Sequence, residues 1–271
     1  MENIFRTFII SMVFIFGTSI FSFLNVLIYR IPQKKSWIKE RSFCTKCGHK
    51  LRWYDLFPVL SYLFLGGRCR YCKEKISPSY MIVELIGGIS GLLIFYRFFP
   101  VEHFFGCLNI HGEMRNDLLR IIFVFVLFSL ITVVAFIDMN TMEINNGASI
   151  IATIMGIISL FLFKDITVKE HIIGFFAVSM PLLILTLIIP GAFGGGDIKF
   201  MFGIGGILGW KNALLALFIG IISGGIWGII LLITKKKGRK DHFAFGPFLC
   251  IGIGIAVLYG ENIINWYLSM Y

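Results

Sequence analysis

Asp138 closes an apolar run that begins at Ile121, and Asp197 follows Gly194-Gly195-Gly196 between two further apolar runs. A carboxylate at membrane depth costs about 2.5–3.5 kcal/mol on insertion scales, so an acid kept there is a functional candidate. If the two met, repulsion at low dielectric would leave them sharing one proton, as in aspartic proteases, where the pair supplies an acid and a base to one bond. A second constellation is Cys44-Thr45-Lys46-Cys47 with Cys69-Arg70-Tyr71-Cys72, two C-x-x-C pairs separated by 21 residues. Four thiolates at that spacing suit a tetrahedral zinc with no open position, hence a structural rather than catalytic metal. Disulfides and a redox-active dithiol are the competing readings, and a reducing cytoplasm opposes the first. His49 reads as a loop residue rather than a fifth ligand, and Cys107 and Cys250 as isolated packing residues.

Each acid also has a plainer reading. Asp138 opens the polar break Asp138 to Asn146 and could cap the following helix, a position that favours Asp and Asn. Asp197 is harder to read that way. Gly194, Gly195 and Gly196 remove side chains beside it, so a second backbone can come close or the chain can unwind there, and Lys199 can reach the membrane interface or act on a neighbouring carboxyl. Glu84, near a helix start, either complements the helix dipole or lines a site, and Glu143 reads as a loop charge.

The elements that must position these residues are membrane helices. Of the 271 residues, 57% are hydrophobic and 29 are Phe, far too apolar for a soluble domain of this size. Apolar runs at 8–29, 81–99, 118–137, 148–163, 171–189, 193–209, 213–233 and 243–260 predict about eight transmembrane helices. Lys and Arg concentrate in 31–80, with eleven of the chain's 25, and in 234–242, with five more. The positive-inside rule places both segments in the cytoplasm, with the two termini outside, and that topology brings Asp138 and the start of the sixth span to the cytoplasmic side. The net charge of +10 thus follows topology and faces anionic lipid, which argues against nucleic acid as a partner. The first apolar run lacks a basic n-region and a small-residue cleavage site and reads as a retained helix.

In order along the chain stand Ser22-Phe23-Leu24-Asn25 with Tyr29-Arg30-Ile31-Pro32, the two cysteine pairs flanking Tyr54-Asp55 and Ser61-Tyr62-Leu63, Val83-Glu84-Leu85, Ala135-Phe136-Ile137-Asp138, Gly194-Gly195-Gly196-Asp197-Ile198-Lys199, and Phe245-Gly246-Pro247-Phe248. Together they resemble the type 4 prepilin peptidases, of the GXGD class of intramembrane aspartyl proteases. The resemblance implies that Asp138 and Asp197 are the catalytic pair, and that a basic leader is cut from prepilins or pseudopilins at the cytoplasmic face of a prokaryotic plasma membrane. It further implies that the new N-terminus is methylated from S-adenosylmethionine, with Glu84 and the cysteine loop the candidates for that chemistry. Members commonly carry Pro where this chain has Asn145, Gly where it has Phe21, and Pro where it has Ala244.

The expected architecture is an all-α polytopic membrane protein: a first helix in 1–30, a cytoplasmic four-cysteine metal-binding loop domain in 31–80 and a membrane-embedded peptidase domain in 81–271. The partners expected are the prepilin leader and helix and the membrane lipids. A proton-coupled transporter using the two aspartates as a relay is the alternative, although such proteins tend to show related halves, and the two acid motifs here differ.

Overall fold

The computed structural model describes residues 2–36, 42–99, 111–163, 165–234 and 243–270; Cys107, Lys39, Arg41 and the five cations of 234–242 lie outside them. Nine helices are described: α1 (Glu2–Arg30), α2 (Leu60–Phe64), α3 (Ser79–Phe98), α4 (His111–Thr141), α5 (Asn146–Leu162), α6 (Val168–Ala177), α7 (Ser179–Ile188), α8 (Gly195–Ile233) and α9 (Gly246–Leu268). All eight expected spans are helical, α6 and α7 together making the fifth. Six helical stretches are long and apolar enough to cross a membrane, and α5, with 17 residues, is slightly short of that length.

The sixth and seventh expected spans run together in α8, whose 39 residues would measure about 58 Å if straight, roughly twice the bilayer core. Gly209 resolves the mismatch. Its φ of 73° and ψ of 166° are not helical and divide α8 in two; the left-handed φ is one that glycine alone adopts freely. Carbonyls freed near such a break need new donors, and Gly206 O accepts from Ser159 Oγ of α5 at 3.1 Å and from His171 Nδ1 of α6 at 2.7 Å. His171 is fully buried, and its Nε2 has no hydrogen-bond partner among the described residues.

The chain forms two compact units, Met1–His111 and Gly112–Tyr271, so the division falls after α3, one helix beyond residue 81. In the first, α1 packs on α3. Phe21 is fully buried in the notch that Gly87 leaves, so the large residue at 21 is matched by the absence of a side chain opposite. Asn25 Nδ2 donates to Tyr80 O at 3.1 Å and ties the end of α1 to the start of α3. In the second unit the first half of α8 is the hub, with α5 and α6 against it; Phe200, Met201 and Ile204 are completely buried there. Large apolar side chains such as Phe8, Ile154, Ile172, Phe218 and Ile229 point outward. In water such bands would drive association, whereas lipid tails are as apolar as they are.

Candidate active site and metal centre

Four helix ends converge on the acid pair: the C-terminus of α4 and the N-termini of α5, α8 and α9. Asp138 lies in the last turn of α4 and is 4% exposed; its Oδ2 accepts the backbone N–H of Gly246, at the start of α9, at 2.9 Å. The reading of Asp138 as a cap for the next helix therefore fails. Asn145 fills that post, its side chain accepting from Gly147 N at 2.8 Å. A polar cap thus stands where the resemblance expects proline, and either residue type starts a helix.

Asp197 occupies the first turn of α8, 9% exposed, with Oδ2 accepting from Gly194 N at 3.2 Å. It is close enough to Asp138 for the two charges to interact. Both carboxyls thus face helix N-termini, where backbone N–H groups favour negative charge. Phe193 and Phe245, one residue before Gly194 and Gly246, stack edge to face with centroids 5.6 Å apart and hold the starts of α8 and α9 together.

The three glycines do different things. A Cβ on Gly196 would sit 3.0 Å from Ile144 Cβ and 3.1 Å from Ile144 O, so this position lets α8 press against the α4–α5 loop and bring its acid toward Asp138. Among the described residues, Gly194 borders only the Asp197 carboxyl and Gly195 faces open space. The backbone here is helical from Gly195 onward rather than unwound. Lys199 does not end in solvent alone, since its Nζ donates to Asn146 Oδ1 at 3.1 Å and adds a second tie between α8 and α5. Glu143 is exposed in the loop, and Cys250 is buried in α9. The contribution of Gly246 is invisible in the sequence pattern alone, because a backbone donor has no residue type.

In the first unit the two C-x-x-C segments form a matched pair of hairpin knuckles. Cys44 N donates to His49 O and Cys69 N to Glu74 O, and the bridges Phe43 to Lys50 and Arg68 to Lys75 close equivalent loops. Four residues after each first cysteine the chain turns left-handed, at Gly48 with φ 70° and at Lys73 with φ 59°. The four sulfurs lie within 4.8 Å of one another, and Cys44 Sγ and Cys72 Sγ are 3.9 Å apart. A tetrahedron with Zn–S bonds of about 2.3 Å has sulfur edges of about 3.8 Å, so the cluster fits a metal of that kind. None of the four is in a disulfide. Burial opposes ionisation of Cys44, yet hydrogen bonds from the Cys47 and Lys46 backbone lower its thiol to about 7. For Cys72 the Glu74 backbone pulls downward, but burial and the other three thiols push it up to about 11. Without a cation the sulfurs cannot all be thiolates, and a metal would displace the protons they retain.

Between the knuckles, Asp55 accepts from Arg70 Nε at 2.7 Å and from Tyr71 Oη at 3.3 Å, its side chain only 3% exposed. Burial raises the Asp55 carboxyl, and the Arg70 and Arg52 donors overcome that and hold it below its usual value. His49 stacks on Tyr71 at 3.6 Å between ring centroids, a packing role rather than a ligand's. Glu84, in the second turn of α3, accepts the N–H of Val59 at 2.7 Å; Val59, with φ 60°, is held in a conformation unusual for a β-branched residue. Glu84 also lines a cavity of about 460 Å³ shared by α1, α3 and the cysteine loop.

Two family models match the chain, each within one unit: the Bacterial Peptidase A24 N-terminal domain over residues 15–98 and the Type IV leader peptidase family over residues 125–229. The second range contains both Asp138 and Asp197. Relatives named prepilin leader peptidase/N-methyltransferase include one from Bacillus subtilis, 30% identical over 96% of this chain and 98% of the relative. One from Aeromonas salmonicida is 28% identical over 96% and 94%, and one from Vibrio cholerae is 35% identical over 69% and 73%. No solved structure matches.

Proposed function

The chain belongs to the type IV leader peptidase family, and on that premise we propose that it is an aspartyl peptidase that removes the basic leader of prepilins or pseudopilins at the cytoplasmic face of the membrane. The observation that carries the reading is the convergence of Asp138 and Asp197, from different helices, into one buried site within charge reach of each other. With one proton between them, the protonated carboxyl hydrogen-bonds the scissile carbonyl while the ionised one takes a proton from water. Water oxygen bonds to the carbonyl carbon. The C–N bond then breaks, its electrons going to nitrogen with a proton from the acid.

Open space at Gly195 suits an extended substrate strand beside Asp197, since none of the described residues fills it. Lys199, tied to Asn146, steadies the approach of α8 to the loop. The cytoplasmic placement is supported by the basic segments 31–80 and 234–242, the latter entering α9, whose first residue donates to Asp138.

In this reading the protein also methylates the new N-terminus, as the names of its relatives describe for them. S-adenosylmethionine supplies a methyl group on a sulfonium; the amine lone pair forms the N–C bond, and the S–C electrons return to sulfur. In this reading Glu84 takes the proton that the ammonium must lose first. Zinc at Cys44, Cys47, Cys69 and Cys72 holds the loop. A proton-coupled transporter is not favoured, because relatives matching nearly the whole chain carry a peptidase name. Cleavage of a purified prepilin by Asp138→Asn and by Asp197→Asn tests the pair: both variants insert in the membrane and fail to cut, and near wild-type cutting by either refutes it.

A further inference from the structure

Residues 53–65, between the two knuckles, are built inside out. Every exposed residue of this stretch is a large apolar one: Trp53, Leu56, Phe57, Leu60, Leu63 and Phe64, with Trp53 74% and Phe64 85% exposed. The polar and smaller residues turn the other way, Asp55, Ser61 and Tyr62 being half-buried against the cavity of the first unit. The exposed six recur at the three- and four-residue steps of one helix face, carried by a short 3-10 turn at Trp53–Asp55 and by α2. We propose that this ridge is an interfacial anchor, its side chains entering the acyl boundary of the adjoining leaflet while the cations of the same loop hold anionic headgroups.

The height of the ridge supports this. Val59 N–H is bound by Glu84, five residues into α3 and about 7.5 Å along its axis, and α3 is one of the helices long and apolar enough to cross a membrane. Leu56, Ser61 and Tyr62 share the cavity with Asn25 of α1 and with Tyr80 and Met81 of α3. The middle of the loop therefore stands level with the first turns of a membrane helix, not above them. A contiguous apolar face at that depth meets lipid, and an amphipathic element whose apolar side carries Trp, Phe and Leu lies in the interface plane. Trp53, which meets Phe57 edge to face with centroids 6.4 Å apart, is of the residue type enriched at that boundary.

Charge selects lipid over protein as the occupant. Among the described residues of 31–80 every Lys and Arg is exposed, and the acids are only Asp55 and Glu74, of which Asp55 is paired with Arg70 at 2.7 Å. Arg52 and Arg68 bracket the ridge in sequence. A second copy of the chain would bring the same positive excess against this one, and the basic leader of a prepilin would do likewise, so either would dock against like charge. Anionic headgroups neutralise it, each nearby Lys or Arg adding to the attraction.

The test uses the whole protein in nanodiscs of phosphatidylcholine with or without phosphatidylglycerol. A photo-crosslinking phenylalanine analogue at position 64 is expected to attach lipid on illumination, identified by mass spectrometry, and to attach several-fold less when the anionic lipid is left out. The emission contributed by Trp53, taken as the difference between wild type and Trp53→Phe, is expected to be quenched by lipid brominated near the headgroup and shielded from aqueous iodide. Phe57→Ser/Leu60→Ser/Phe64→Ser alters only exposed side chains, so it is expected to keep its helical content while Trp53 loses most of its quenching by brominated lipid. Cross-linking of position 64 to a second copy, or to added prepilin, in place of lipid would make the ridge a protein-docking face and overturn the proposal. Quenching of Trp53 by iodide and not by brominated lipid would overturn it too, as would unchanged lipid quenching in the triple variant, and equal lipid labelling in the two bilayers would refute the part given to the cations.

Discussion

The cysteine knot and the acid pair are built in opposite ways. Each knuckle is local: eight residues from Phe43 to Lys50, and eight from Arg68 to Lys75, fold on their own backbone hydrogen bonds and present two sulfurs each. The acid pair has no local structure of its own. Asp138 and Asp197 come together because α4, α8 and α9 end at the same place, and the nearest donor to Asp138 is a backbone N–H 108 residues away in sequence. A site of the first kind fails when its metal or a ligand is lost; one of the second fails when helix ends move by less than the width of a methyl group.

That contrast sets the order of expected effects. The largest belongs to the acids: Asp138→Asn or Asp197→Asn should reduce prepilin cleavage by roughly 10³-fold or more while expression and insertion are unchanged, read by gel shift of the substrate. Next comes the packing of the helix ends. Gly246→Ala puts a Cβ 2.6 Å from Asp138 Oδ2, and Gly196→Val forces the α4–α5 loop away; each should cut cleavage by about 10- to 100-fold, with zinc content unchanged. Gly195→Ala separates space from packing. Its Cβ meets nothing among the described residues and alanine is the better helix former, so thermal stability should hold or rise while KM for prepilin increases; an unchanged KM would remove Gly195 from the substrate path.

The knot should respond along its own axis. Cys44→Ser should lose zinc and depress methylation of a pre-cleaved pilin, with cleavage of prepilin falling by no more than a few-fold; equal loss of both would break the contrast between the regions. The smallest effect is within the knot. Lys73 takes the left-handed turn that Gly48 takes in the other knuckle, and a non-glycine residue there carries about 1 kcal/mol of strain. Lys73→Gly should therefore slow zinc release modestly, and faster release would show that the Lys73 side chain contributes more than the strain it carries.

The same contrast explains what the sequence made readable. C-x-x-C spacing announces a four-sulfur cluster because ligand spacing along the chain is spacing in the knuckle. Apolar runs announced every membrane helix, including the two joined in α8, although not that Gly209 would join them with no intervening loop. Asp138 alone could be read as a cap, and only the fold shows Asn145 in that role and Gly246 N–H on the carboxyl. The clamp of Ser159 and His171 on Gly206 O was unreadable for a related reason, because a serine and a histidine inside apolar runs look like ordinary core residues until the helix break they satisfy is known. Phe21 and Gly87 likewise make sense only as a pair across two helices.

The central claim is that the acid pair cuts and the first unit methylates. It is tested most directly by the Asp138→Asn/Asp197→Asn double variant, purified and given either intact prepilin or a pre-cleaved pilin with a free N-terminal Phe, together with S-adenosylmethionine, the products being weighed by mass spectrometry. The account predicts that intact prepilin is returned uncut and that the pre-cleaved pilin gains the mass of one methylene at the wild-type rate. Cleavage of the prepilin, or loss of methylation in a variant whose helical content and zinc are those of the wild type, would contradict it.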